Sequence, residues 1–238
     1  MFPNDIHLEI GSLLFEGVDQ IDLTGPFEVL SRIPNSTYRI YGKTAASVLD
    51  LKGLRLTPDA ALADARPLDV LHVPGVYGQE SLMEDAEVLA WIRQQAVGAC
   101  RIFSVCTGAL LCGAAGLLKG RRATTHWSAL HLLSFFGAPP VNERVVMDGS
   151  CVFAAGVTAG IDGALCLAAD LRGDDTARTI QLHMAYAPEP QFNSGTPETA
   201  PPAILQQALQ SVQGITTQRE ATARRVAARL GIAVPEIA

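Results

Sequence analysis

An α/β layered sandwich with a mostly parallel central sheet is the fold that this chain of 238 residues predicts. Three observations predict it. Short apolar runs alternate along the chain with segments of helical periodicity, the pattern of strands joined by crossover helices. One such run ends in Cys106, and Thr107-Gly108 and a second apolar, helix-forming run follow at once. That is strand, sharp turn and helix, the layout of a nucleophile elbow with cysteine where hydrolases place serine. The composition is 48% hydrophobic, enough for a substantial core, yet Gly, Pro or charged residues interrupt every apolar run before it reaches membrane-spanning length.

Residues 6–15 are strongly apolar and read as a first, buried strand. Pro26 suits a helix start, with Phe27, Leu30 and Ile33 at helical spacing behind it. Residues 38–44 and 48–56 read as strands, the latter a hairpin around Lys52-Gly53. Residues 69–74 form a short strand that ends in the loop Gly75-Val76-Tyr77-Gly78. Residues 80–97 read as one helix carrying Leu82, Val88, Leu89 and Ile92. The strand 100–105 leads into the elbow, and 110–118 is the helix behind it. Residues 128–136 look helical, and 143–153 read as a hairpin turning at Asp148-Gly149. Helices follow at 164–171 and 176–186, then a Pro/Gly/Ser/Thr-rich segment at 187–202 and a long alanine-rich helix at 204–230. The expected organisation is one α/β domain over 1–205 and a helical extension over 206–238, packed on that domain or on a dimer interface.

In sheets of this kind sites form outside the carboxyl ends of the strands. Three segments end at that edge: 15–22, 74–77 and 105–107. They can converge although they lie far apart in sequence.

The net charge is −6 and the pI about 5.3, which argues against nucleic acid or an anionic membrane as partner. Arg219, Arg224, Arg225 and Arg229 in the last helix read as a solvated or dimer-packing face. The N-terminus lacks a basic region followed by an apolar core, so no signal peptide is expected. The five cysteines have no regular spacing and no zinc-like pattern with His, so neither a disulfide framework nor a metal is expected. A reducing, cytoplasmic setting follows.

Cysteine is often only a small buried hydrophobe, and Cys112 and Cys166, in apolar helical runs, fit that description. Cys106 differs by its place before Thr107-Gly108. A helix N-terminus favours negative charge nearby, so its thiol is expected to ionise more readily than a free cysteine. From the residues alone, Asp22 before Thr-Gly-Pro reads as a turn or cap residue, Thr107 as a first helical residue and Gly75 as turn chemistry. Nothing in the spacing places His126 near Cys106, and it reads as structural.

The motifs together resemble the ThiJ/PfpI superfamily, relatives of class I glutamine amidotransferases. The match is carried by Gln20-Ile21-Asp22-Leu23-Thr24-Gly25-Pro26, Val73-Pro74-Gly75, Ser104-Val105-Cys106-Thr107-Gly108, 114–118, 120–127 and Gly160-Ile161-Asp162. The Asp-Leu-Thr-Gly-Pro, Cys-Thr-Gly and Tyr186-Ala187-Pro188 segments narrow the resemblance to the isocyanide hydratase branch. It implies a flavodoxin-like α/β/α sandwich and a cofactor-free homodimer acting on a small isocyanide. Cys106 is then the nucleophile, Asp22 its acidic partner, and Thr107 a neighbour of both. Main-chain amides at Gly75-Val76 and Thr107 line the anion-stabilising side. Many relatives carry Gly-Gly where this chain has Gly75-Val76.

The implied chemistry is attack of the Cys106 thiolate on the isocyanide carbon, protonation at nitrogen by Asp22, and hydrolysis of the thioimidate to a formamide. Two other classes share these features. One is a redox or stress-response protein with an oxidisable Cys106. The other is a ligand-sensing domain like those at the front of AraC-type regulators. Those carry a helix-turn-helix region behind the domain, for which one candidate helix is too little.

Overall fold

The structure, a computed structural model, describes residues 2–234; residues 235–238 of the expected extension lie outside the described residues. Its centre is a sheet of seven strands in the order β5-β2-β1-β6-β7-β9-β8. The strands are β1 (Leu8–Leu14), β2 (Ser36–Gly42), β5 (Ala60–Ala61), β6 (Val70–Val73), β7 (Arg101–Val105), β8 (Val145–Asp148) and β9 (Cys151–Ala154). All pair in parallel except the β8–β9 hairpin at one edge. Two short strands, β3 (Val48–Leu49) and β4 (Arg55–Leu56), form a separate antiparallel ribbon around Lys52-Gly53. The predicted α/β sandwich is the observed fold.

Alternating side chains divide the core between the two faces. Ile10, Val70 and Phe103 pack with α1 (Gln20–Leu30), α5 (Ala159–Arg172) and α6 (Asp174–His183). Leu13, Leu71 and Ile102 pack with α3 (Ala86–Gly98), α4 (Gly108–Ala114), the 3₁₀ segment Trp127–Phe136 and α7 (Pro202–Leu230). Central strands buried on both faces explain why their sequences are near-continuous apolar runs.

Four elements differ from the sequence expectation. Helix α1 begins six residues earlier than Pro26, because Asp19 caps it through the Ile21 amide at 3.0 Å and Pro26 sits inside it. The single helix expected over 80–97 is α2 (Gln79–Leu82) followed by α3. α2 stops at Leu82 with Met83 as its C-cap, and Asp85 starts α3 by accepting from the Glu87 and Val88 amides, both at 3.1 Å. Residues 127–136 wind as 3₁₀ turns, and the elbow helix stops at Ala114. Cys166, expected to be buried, is exposed on α5, whereas Cys112 is buried.

Helix α7 is not a solvated arm. Thr222, Ala223, Val226 and Ala227 form its buried stripe. All four arginines contact the domain beneath. Arg225 pairs with Glu84 at 2.8 Å and Arg224 lies over the Phe135 ring at 5.1 Å. Arg229 donates to the Ala114 carbonyl at 3.3 Å, and Arg219 reaches the sheet edge. Among the described residues no helix is long and apolar enough to cross a membrane.

Candidate active site

The parallel strands bring three chain segments to one edge, as their order predicts. β7 ends at Val105, and Cys106 follows with φ +56°, a left-handed value strained for any side chain. The strain is held by two hydrogen bonds. The Cys106 amide donates to the Ala154 carbonyl at 2.9 Å, and Thr125 Oγ1 donates to the Cys106 carbonyl at 2.7 Å. Helix α4 starts immediately behind.

The loop after β6 presses against this elbow, backbone on backbone. A Cβ built on Gly75 would lie 2.5 Å from the Thr107 nitrogen, and one on Gly108 would lie 2.0 Å from the Val73 carbonyl oxygen. Glycine is required at both places because nothing larger fits. The neighbouring Val76 has φ +92°, an outlier for a β-branched residue. Two contacts hold it there: its amide donates to Thr107 Oγ1 at 2.8 Å, and its carbonyl accepts from Arg219 Nη2 at 2.9 Å.

Asp22 comes from the first turn of α1 and is fully buried. Its Oδ2 accepts the Gly75 amide at 3.1 Å. Oδ1 has no partner in regular hydrogen-bond geometry, although Cys106 lies close enough to act on the carboxyl as a donor. Burial, then the charge of Asp19, raises the Asp22 carboxyl to about 8 against these two hydrogen bonds. Asp22 therefore holds its proton at neutral pH.

The thiol does not follow the sequence expectation. Cys106 is 2% exposed, and burial, followed by the Asp22 charge, pushes it well above the ordinary thiol range. The Thr107 amide at the helix start and the Arg219 cation oppose that rise without cancelling it. Desolvation outweighs the helix terminus here because α4 is short and the sulfur is dry.

A cavity of about 200 Å³ opens over the sulfur. Leu51, Val76, Val157 and Val212 supply apolar wall; Asp19, Tyr77, Thr107, His126, Ser128 and Arg219 supply polar wall. His126 thus lies nearer Cys106 than its sequence position suggested. Its Nδ1 is bonded to Ser128 Oγ at 2.8 Å as a cap of the 3₁₀ segment, and burial, then Arg219, lowers the ring to about 4. The Gly75 and Val76 amides, expected to face the substrate, are both occupied, by Asp22 and Thr107 respectively.

Arg219 is the site residue that sequence reasoning missed. It is 4% exposed, its Nη2 also lies 3.3 Å from Thr107 Oγ1, and no carboxylate among the described residues is within ion-pair distance. The available signal was its place at the head of the stripe 219, 222, 223, 226, 227, which has the helical spacing of a buried face. Among the described residues no group of three or more His, Cys, Asp or Glu could hold a metal ion.

The model of the DJ-1/PfpI family matches residues 10–169. An isonitrile hydratase of Pseudomonas putida is 47% identical over 225 residues, covering 94% of this chain and 99% of that protein. The crystal structure of a ThiJ/PfpI family protein from Pseudomonas syringae superposes with a TM-score of 0.89 at 37% identity, covering 92% of this chain and 91% of that one. The transcriptional regulator CdhR of Pseudomonas aeruginosa is 32% identical over 157 residues, which span 64% of this chain and 46% of the regulator.

Proposed function

The chain belongs to the DJ-1/PfpI family, and on that premise we propose that it is an isocyanide hydratase, converting R–N≡C and water into the formamide R–NH–CHO. One observation carries the assignment: identity to an isonitrile hydratase along nearly the whole of both chains. The site agrees with it, since a buried carboxyl lies beside the sulfur while the nearby His126 is engaged by Ser128 through Nδ1.

Cys106 and Asp22 act as a pair: burial keeps both protonated at rest, and the reactive form is the minor one in which Asp22 keeps its proton and the sulfur is ionised. Arg219 and the Thr107 amide favour that form by stabilising the thiolate. The thiolate attacks the terminal carbon of the isocyanide and forms the C–S bond. Atom balance puts the first proton on that carbon, not on nitrogen: Asp22 delivers it and the thioimidate R–N=CH–S–Cys106 results. Asp22, now a carboxylate, takes a proton from water as the oxygen adds to carbon, and passes it to nitrogen. Collapse of the adduct expels the thiolate, and the hydroxyl proton returns to Asp22. The formamide leaves and the pair is restored.

Gly75 orients Asp22 through its amide, and Thr107 holds the Val76 loop against the elbow. No cofactor is required by this cycle. The physiological form is a cytoplasmic homodimer, which light scattering of the purified protein tests.

A redox role fits the site less well. Sensor cysteines are accessible to solvent, whereas Cys106 is buried. The deciding experiment is steady-state turnover of para-nitrophenyl isocyanide, with formamide followed by absorbance. Saturable turnover that vanishes in Cys106→Ala is expected. Absence of turnover, with Cys106 still alkylated readily below neutral pH, overturns the hydratase in favour of redox chemistry.

A further inference from the structure

Helix α1 contains a device that bears on Asp22. In an α-helix the carbonyl of residue 22 accepts from the amide of residue 26. Residue 26 is proline, inside the helix, and has no amide hydrogen. The Asp22 carbonyl is therefore left without its ladder donor, at the residue whose side chain meets the reactive sulfur.

Beneath that carbonyl lies His72, from the middle of β6 and fully buried. Its ring points to the same sheet face as Ile10 and Phe103, the face that α1 covers, and it stacks on Phe103 with centroids 5.2 Å apart. Nδ1 lies 2.9 Å from Ser12 Oγ and 3.0 Å from Tyr38 Oη. Burial lowers the ring to about 3, so it is neutral. With hydroxyls on Nδ1, the ring hydrogen belongs on Nε2. Nε2 has no hydrogen-bond partner, and the Asp22 main-chain carbonyl is near enough to act on the ring, where it favours the charged form. A carbonyl without its ladder donor thus lies near a buried ring nitrogen without a partner, and an unpaired buried polar group is costly.

We propose that His72 is a positioning residue for Asp22: Nε2–H serves the carbonyl that Pro26 leaves free, and Tyr38 and Ser12 hold the ring in that tautomer. Asp22 is then fixed from two sides, at the carboxyl by the Gly75 amide and at the main chain by His72. A plain core histidine would keep its hydroxyls on Nδ1, leave Nε2 unpaired and owe nothing to Pro26.

A double-mutant cycle separates the two. His72→Phe keeps the stack on Phe103 and removes the donor; His72→Gln serves in its place if the phenylalanine variant does not fold. Pro26→Ala restores a main-chain N–H to the Asp22 carbonyl. Two readouts are taken: kcat and KM for an isocyanide, and the pH dependence of Cys106 alkylation by iodoacetamide, which needs no assumption about substrate. The expected result for the His72 variant is a kcat reduced about tenfold, the kinetic equivalent of one hydrogen bond of about 1.4 kcal/mol. KM stays within about threefold, and the alkylation midpoint shifts. In the Pro26→Ala background the same substitution costs less than about threefold and the midpoint shift shrinks. Equal cost in both backgrounds, or a His72 variant with unchanged kcat and alkylation profile, overturns the proposal. A wild type that turns over no isocyanide overturns the hydratase instead, and the alkylation profiles then decide the role of His72.

Discussion

The two sides of the cavity teach different lessons. On the sheet edge, Cys106 and Thr107 line the cavity and, with Asp22 and Gly75 beside them, are held by main-chain geometry: a left-handed elbow, a loop pressed on a loop, a carboxyl on an amide. On the opposite side, Arg219 and Val212 arrive from a helix more than a hundred residues later and close the site by packing. The first side holds the sulfur beside a carboxyl. The second adds a buried cation and apolar wall.

The sharpest way to break this contrast is at the sulfur. Cys106→Ala is expected to abolish turnover while the fold, read by circular dichroism, persists.

Next comes Asp22→Asn, expected to lower kcat/KM by about 10²–10⁴-fold, the usual worth of acid–base help. The same variant carries a stability signature. The Asp22 carboxyl has its pKa raised from 3.8 to about 8 by folding, so the folded state binds the extra proton between those values. Stability is therefore lost as pH rises from about 4 to about 8. Asparagine carries no such penalty, so its Tm advantage over wild type should grow across that window and level off above it. A Tm difference independent of pH contradicts the buried, proton-holding carboxyl.

Gly75→Ala tests the pressed loops: with backbone atoms 2.5 Å from the new Cβ, a loss of about 3 kcal/mol is expected in chemical denaturation. Arg219→Met tests the far wall. It should lower kcat/KM about tenfold, or about 1.4 kcal/mol, and raise the pH at which Cys106 is alkylated, because a cation favouring the thiolate is gone. The smallest effect belongs to the outer face of the same helix. Arg224→Ala, over the Phe135 ring and half exposed, should cost less than about 1 kcal/mol and leave turnover unchanged.

Much of the fold was legible because strands buried on both faces must be apolar throughout, and the elbow announced itself by an apolar run that stops at Cys106 before Thr107-Gly108. Helix limits were less legible where a cap overrode a stronger-looking signal. Pro26 looks like a helix start, yet Asp19 starts the helix and Pro26 interrupts its ladder. A continuous run of helix formers over 80–97 is cut by a capping aspartate at Asp85.

The alternation of apolar runs with helical segments and the turn at Cys106-Thr107-Gly108 can be read from residue order, because hydrophobic period and backbone sterics are local consequences of residue type. Only the folded layers set the protonation of Cys106 and Asp22. The helix terminus behind Cys106 predicts an easily ionised thiol, but packing removed water from the sulfur and from Asp22 together, and desolvation prevails over a short helix. The tertiary structure also decided that Arg219 is a site residue rather than one of four surface arginines, because burial and contact are properties of the assembled layers and of no single segment.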